Sequence, residues 1–105
     1  MALGIDIVDM NRIRNAERLA KYVLSDAEYE IFLSRSDRLE FLAGRFAAKE
    51  AFLKARHTGI GSISFKRISI IYNKDNGAPE LHFEDKIYDV SISHDGKYAV
   101  AVVQI

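Results

Sequence analysis

The segment Phe46-Ala47-Ala48-Lys49-Glu50-Ala51-Phe52-Leu53-Lys54 puts a carboxylate where a helix wants an apolar side chain. On a helical wheel Leu39, Leu42, Ala43, Phe46 and Leu53 share one side. Glu50 lies four residues after Phe46 and three before Leu53, near the middle of that stripe. A buried carboxylate must be protonated, paired or bound to metal. Two readings follow. Lys54, one turn on, suits an i,i+4 Glu–Lys pair contributing a few tenths of a kcal/mol. Alternatively, Glu50 belongs to a hard-cation site, because Mg²⁺ takes one or two carboxylates, keeps waters and accepts phosphate oxygens for the rest. Spacing does not single out the second carboxylate. Asp6 is the best candidate, since an Asp inside the apolar run from Leu3 to Val8 also needs a reason; the plain alternative is a strand-edge Asp facing water. Arg45, Lys49, Lys54 and Arg56 surround Glu50 with positive charge of the kind that neutralises phosphate. For Lys49 and Arg56 a solvated helix face is explanation enough.

The elements that position these residues are legible. Leu3, Ile5 and Ile7 alternate with Gly4, Asp6 and Val8, which reads as a short strand with Asp6 on the face opposite Leu3 and Ile5. A first helix follows, with Ile13, Ala16, Ala20 and Val23 as its apolar stripe and Arg14, Arg18 and Lys21 on another face. Ser25-Asp26-Ala27-Glu28 is a capping-box pattern, flanked by Leu24 and Tyr29 as a hydrophobic staple; it opens a second helix running through about Phe32. The third helix covers about Asp37 to Arg56 and stops before Thr58-Gly59-Ile60-Gly61. Phe41 and Phe52 point away from the Leu42–Leu53 stripe. That helix is therefore expected to be covered twice, by its own sheet and by a second chain. Ile68 to Tyr72, Leu81 to Phe83, Val90 to Ser93 and Tyr98 to Ile105 read as antiparallel strands. Asn76-Gly77 marks one turn and His94-Asp95-Gly96-Lys97 another, with Asp95-Gly96 as a type I′ signal. One strand, then helices, then antiparallel strands implies an α+β fold, an antiparallel sheet on a long central helix.

Length allows one domain, residues 1–105. There is no cysteine, which excludes disulfides and thiolate metal sites. A net charge of zero argues against general nucleic-acid binding, and the longest apolar run, Tyr98 to Val103, is too short for a membrane span. Asp6 falls too early for a secretory signal, so a cytoplasmic protein is expected. Charge is uneven locally: Arg12, Arg14, Arg18 and Lys21 face only Glu17, a balance of 4 − 1 = +3 over residues 11–21.

Gly4-Ile5-Asp6 followed some forty residues later by Phe46 to Lys54 resembles the signature pair of the 4′-phosphopantetheinyl transferases, and the small bacterial holo-[acyl-carrier-protein] synthase group within them. The resemblance runs nearly end to end, through Asp6-Ile7-Val8-Asp9, Phe41 to Phe46, Thr58 to Gly61, Gly77-Ala78-Pro79 and Ser91-Ile92-Ser93-His94. It implies transfer of the phosphopantetheine arm of coenzyme A to a serine of apo acyl carrier protein, with adenosine 3′,5′-bisphosphate leaving. It further implies that Asp6 and Glu50 hold Mg²⁺ and that Lys54 contacts the phosphates. Arg45, His94, Gly59 and Gly61 would line the coenzyme A site. For His94 the plain reading is a turn residue, and for the glycines a helix stop. Arg12 and Arg14 match positions that dock the acidic carrier protein. Glu50 is one candidate for the base that takes the serine proton. The family is typically a homotrimer with active sites between adjacent subunits. One departure stands out: only Glu80 to Asp89 separates Pro79 from Val90, where relatives often carry a longer segment with a short helix. Two other readings remain at this level: a binding module for coenzyme A or carrier protein without turnover, and a structural oligomer in which Glu50–Lys54 is only a salt bridge.

Overall fold

Strand alternation and a stripe of small residues on the long helix determine how the two meet. The structure is a computed structural model and describes residues 1–59 and 61–105. It contains β1 (Leu3–Asp9), α1 (Ala16–Val23), α2 (Asp26–Ser34), α3 (Arg38–Ala55), β2 (Ile68–Tyr72), β3 (Pro79–Phe83), β4 (Lys86–Asp95) and β5 (Tyr98–Gln104), with 3₁₀ turns at Met10–Arg12 and Phe65–Arg67. The strands form one antiparallel sheet in the order β1-β5-β4-β3-β2. This is the expected α+β architecture.

The helix α3 packs chiefly on β1 and β5. Gly4 allows the closest approach: a Cβ there would lie 1.9 Å from the Ala51 carbonyl oxygen and 2.8 Å from the Ala55 nitrogen. Gly44 does the same against β4, where a Cβ would meet Ile92 at 3.0 Å and His94 at 3.1 Å. Pairing of Gly4 with Val103, Asp6 with Ala101 and Val8 with Ala99 completes the inner face of the sheet. Leu3, Ile5 and Ile7 face outward and are exposed, together with Val102 of β5.

Both apolar faces of α3 are covered within the chain, which corrects the expectation that a second chain covers one of them. Phe52 packs between Phe83 of β3 and Tyr88 of β4, with ring centroids 5.4 and 5.3 Å away. Phe41 meets Phe32 of α2 at 6.5 Å, and the Arg45 guanidinium lies over the Phe41 ring at 4.1 Å.

Several local expectations are refined. The capping box at Ser25 and Glu28 is present. The helix α1 begins only at Ala16, capped by the Asn15 side chain, so Arg12, Ile13 and Arg14 precede it. No glycine stops α3. His57, at φ 60, takes the left-handed position, and its N–H donates to the Lys54 carbonyl while Thr58 donates to that of Leu53, the two bonds of a Schellman motif. Ile60 of the Thr58–Gly61 motif lies outside the described residues. His94 and Asp95 belong to β4, leaving a two-residue loop, Gly96-Lys97. Only Gly96 has positive φ, the requirement of a type II′ turn rather than type I′. The short Glu80–Asp89 stretch is a tight hairpin: Phe83 pairs with Lys86 across Glu84-Asp85, and Glu84 sits at φ 57.

Candidate active site

The inward row of β1 places Asp6 against α3, two residues along the strand from Gly4, which meets Ala51. Its side chain is nearly buried. Oδ1 accepts a hydrogen bond from Lys54 Nζ at 2.9 Å, and the same ammonium donates to the Ile5 carbonyl at 3.1 Å. Oδ2 is buried and has no hydrogen-bond partner. The Glu50 carboxyl lies beside it and titrates well above the usual range, near 7. Partial burial is the main cause and the neighbouring Asp6 carboxylate the next, with Lys54 opposing them. Lys54 therefore pairs with Asp6 from the strand, and no Glu50–Lys54 bridge exists among the described residues. The salt-bridge reading of that i,i+4 pair is corrected, and the strand-edge reading of Asp6 with it.

Two adjacent carboxyls, one with an orphaned buried oxygen, form a hard-oxygen donor set suited to a divalent cation. Among the described residues no group of three His, Cys, Asp or Glu side chains converges to hold a metal. A cation here would thus take its remaining ligands from water and phosphate, as Mg²⁺ does.

The carboxyl pair opens into a cleft of about 690 Å³. It is lined by Phe46 and Glu50 of α3, Asp6 and Ile7 of β1, and Leu19 and Tyr22 of α1. Arg12, Arg14 and Arg18 all line it. The sequence placed Arg18 only on a charged face of the first helix; its position one turn before Tyr22 was the available signal. The result is an acidic pair at one end of a basic-rimmed cleft.

Other expected site residues lie elsewhere. Arg45 is about 140° around the helix from Glu50, five residues at 100° each. It is buried between the Phe41 and Tyr72 rings, 3.9 Å from Glu28, with Nε and one terminal nitrogen unpartnered. His94 lies on β4 beside Gly44, with Nε2 2.9 Å from the Glu40 carbonyl oxygen. Neither lines the cleft. Gly59 and Gly61 have open space around them, and Gly61 has φ 92. Lys49 is not solvated at all. It is fully buried and bonded to Glu28 Oε1 at 2.5 Å, a correction whose sequence signal was its own position three residues after Phe46 and four before Leu53.

With this geometry in hand, comparison with known proteins defines the class. The sequence profile of the 4′-phosphopantetheinyl transferase superfamily matches residues 2–103, and the chain belongs to that family. Its relatives narrow the class. The holo-[acyl-carrier-protein] synthase of Oceanobacillus iheyensis is 47% identical, with 96% of this chain and 92% of that one covered. The Bacillus anthracis holo-(acyl-carrier-protein) synthase in complex with CoA (3′,5′-ADP) superposes with a TM-score of 0.85 at 41% identity, covering 97% of this chain and 92% of that one. The Helicobacter pylori holo-[acyl-carrier-protein] synthase in complex with coenzyme A gives 0.82 at 33% identity, covering 96% of each chain.

Proposed function

We propose that the protein transfers 4′-phosphopantetheine from coenzyme A to a serine of apo acyl carrier protein. The serine oxygen bonds to the phosphorus that carries the pantetheine arm. The bond from that phosphorus to the bridging oxygen of the pyrophosphate breaks, and adenosine 3′,5′-bisphosphate leaves with the electron pair. The serine proton passes to a base. The observation that carries the reading is the Asp6–Glu50 pair with its orphaned buried oxygen and Lys54 at its side, in a chain of this family. Asp6 and Glu50 hold Mg²⁺, which when bound neutralises the pyrophosphate and stabilises charge growing on it. The Lys54 side chain is more than half exposed, so its ammonium can turn from Asp6 to a phosphate oxygen. Reactions of this kind depend on positioning and charge rather than on a protein nucleophile, which suits a site without Cys or Ser.

Arg12 and Arg14, on the cleft rim, steer the acidic carrier protein. The exposed apolar row Leu3, Ile5 and Ile7 is the self-association surface of a homotrimer. Such an assembly explains why the exposed His94 lies away from the cleft of its own chain: it reaches coenzyme A bound to a neighbouring copy, while Arg45, buried between Phe41 and Tyr72, supports that face from beneath. Gly59 and Gly61 leave room for the pantetheine. No helix among the described residues is long and apolar enough to cross a membrane, and we place the enzyme in the cytoplasm, where coenzyme A and the carrier protein are found.

The test is the intact mass of apo acyl carrier protein incubated with the protein, coenzyme A and Mg²⁺, with an EDTA control. The expected result is a metal-dependent gain of one phosphopantetheine. No gain, with a carrier that a known synthase loads, overturns the reading and leaves a binding module.

A further inference from the structure

One charged group at the centre of the molecule has no part in the chemistry above. Lys49 precedes Glu50 on α3, yet its ammonium points the other way and is completely inaccessible. Its three protons are all used: on Glu28 Oε1 at 2.5 Å, on the Val23 carbonyl at 2.8 Å and on the Phe65 carbonyl at 3.1 Å. Burial holds the ammonium down to about 8, with the Glu28 carboxylate opposing. Glu28 is itself anchored by the Ser25 N–H at 3.0 Å and the Ile70 N–H at 2.8 Å.

The two carbonyls matter more than the ion pair. Val23 is the last residue of α1, and a cation there meets an otherwise open helix end. This helix has eight residues and only two fully buried side chains, Ala20 and Val23. It has little of its own to hold it in place. Phe65 opens the 3₁₀ turn before β2. Its ring takes edge-on contacts from Tyr22 at 5.7 Å and Phe46 at 5.9 Å, two residues that line the cleft. One ammonium therefore ties the C-terminal end of α1 and the Phe65 wedge to the helix that carries Glu50.

We infer that Lys49 is a positioning residue: it sets the α1 wall of the cleft, with Arg18, Leu19 and Tyr22, at a fixed separation from Asp6 and Glu50. The inference rests on the transferase reading, in which that wall receives the carrier protein and the carboxyl pair receives the metal. Loss of Lys49 then weakens docking of the carrier more than it disturbs metal binding.

The decisive variant is Lys49→Met, which keeps an unbranched apolar stem and removes the ammonium with its three bonds; Glu28 retains its two N–H donors and Arg45 nearby. The expected result is a KM for the carrier protein raised by about tenfold, a smaller fall in kcat, and Mg²⁺ activation within about twofold of wild type. Leu81→Ala, a core cavity in β3 remote from α1, serves as the control for lost stability alone and leaves the KM of the folded enzyme unchanged. A carrier KM within twofold of wild type in Lys49→Met overturns the inference. If Lys49→Met does not fold, Phe65→Leu decides: it keeps the carbonyl but removes the wedge, and the same KM shift supports the inference while an unchanged KM overturns it. Absence of transfer by the wild type defeats the transferase reading instead. The positioning role is then read from amide exchange over residues 16–24 in Lys49→Met, or in Phe65→Leu if that variant alone folds: faster exchange supports it, and wild-type protection refutes it.

Discussion

Replacing Gly4 with Ala adds one methyl group where β1 crosses α3. The strand backbone tolerates Ala, since Gly4 is not in the left-handed region. The obstacle is purely steric. The new Cβ would lie 1.9 Å from the Ala51 carbonyl oxygen. Ordinary contact needs about 3.4 Å, so strand and helix must part by roughly 1.5 Å, and none of the obstructing atoms belongs to a side chain that can rotate away. Overpacking against backbone belongs at the upper end of the usual range, about 3 kcal/mol. At about 4–8 °C per kcal/mol for a domain near this size, Tm falls by about 12–24 °C. Asp6 follows two residues later on the same face, so the shift also carries its carboxylate away from Glu50 and Lys54. A displacement near 1 Å costs transfer about a hundredfold. Urea unfolding and the rate of carrier modification, measured on the folded fraction, give the two numbers. Gly59→Ala is the stability control, because a Cβ there meets nothing within 4 Å. A Gly4→Ala protein within about 0.5 kcal/mol of wild type, transferring at wild-type rate, would falsify the idea that this glycine sets the carboxylate spacing.

The remaining predictions probe the site's charge, its assembly and the chain's turns. Glu50 has its folded pKa raised to about 7, so its favourable contribution is complete below its ordinary range near 4.5 and is lost as pH rises through 7. In metal-free protein, Glu50→Gln should therefore gain on wild type across that window, by about 1–2 kcal/mol once its considerable exposure is allowed for, as read from urea unfolding at several pH values. Mg²⁺ binding to wild type below pH 7 should release close to one proton, measurable by calorimetry in buffers of different ionisation enthalpy; no release would remove Glu50 from the ligand set. Arg12→Glu with Arg14→Glu should raise the carrier KM and flatten its salt dependence while sparing the KM for coenzyme A, and an unchanged salt slope would exclude steering by this rim. Lys54→Ala and His94→Ala should each be inactive alone yet recover transfer when refolded together; a mixture as inactive as its components would rule out sites shared between copies. His57→Gly should stabilise the C-terminal end of α3 by about 0.5–1 kcal/mol, because His57 holds φ 60 with a Cβ. A lower Tm in that variant would refute the assignment.

Much of this was legible from periodicity. The bounds of α3 were read to within about a residue, because eighteen residues give the 3.6-residue pattern several turns to declare itself. The capping box was equally clear, since Ser25 and Glu28 specify their own hydrogen bonds. Turn chemistry was harder. Asp95-Gly96 suggested a loop one residue too early, because the same Gly serves type I′ at its second position and type II′ at its first, and only the strand register decides between them. The length of β4 was hidden by exposed residues at Lys86 and Ile87 that carry no alternation toward the core.

Lys49 was missed for a reason that also shows how it could have been found. Neighbours on a helix point about 100° apart, and here Glu50 turns to the cleft while Lys49 turns to Glu28, although both fit the Phe46–Leu53 stripe. Once Asp6 and Lys54 account for Glu50, the lysine needs an acid of its own. Glu28 is fixed there by its own capping role, with one oxygen toward Ser25 and Lys49 and the other toward Ile70. A carboxylate held in that way at the start of α2 is a partner for a cation arriving from α3. The charge on the apolar stripe thus divides into two pairs, one facing the cleft and one facing the core, and the second holds the wall of the cleft that the first opens into.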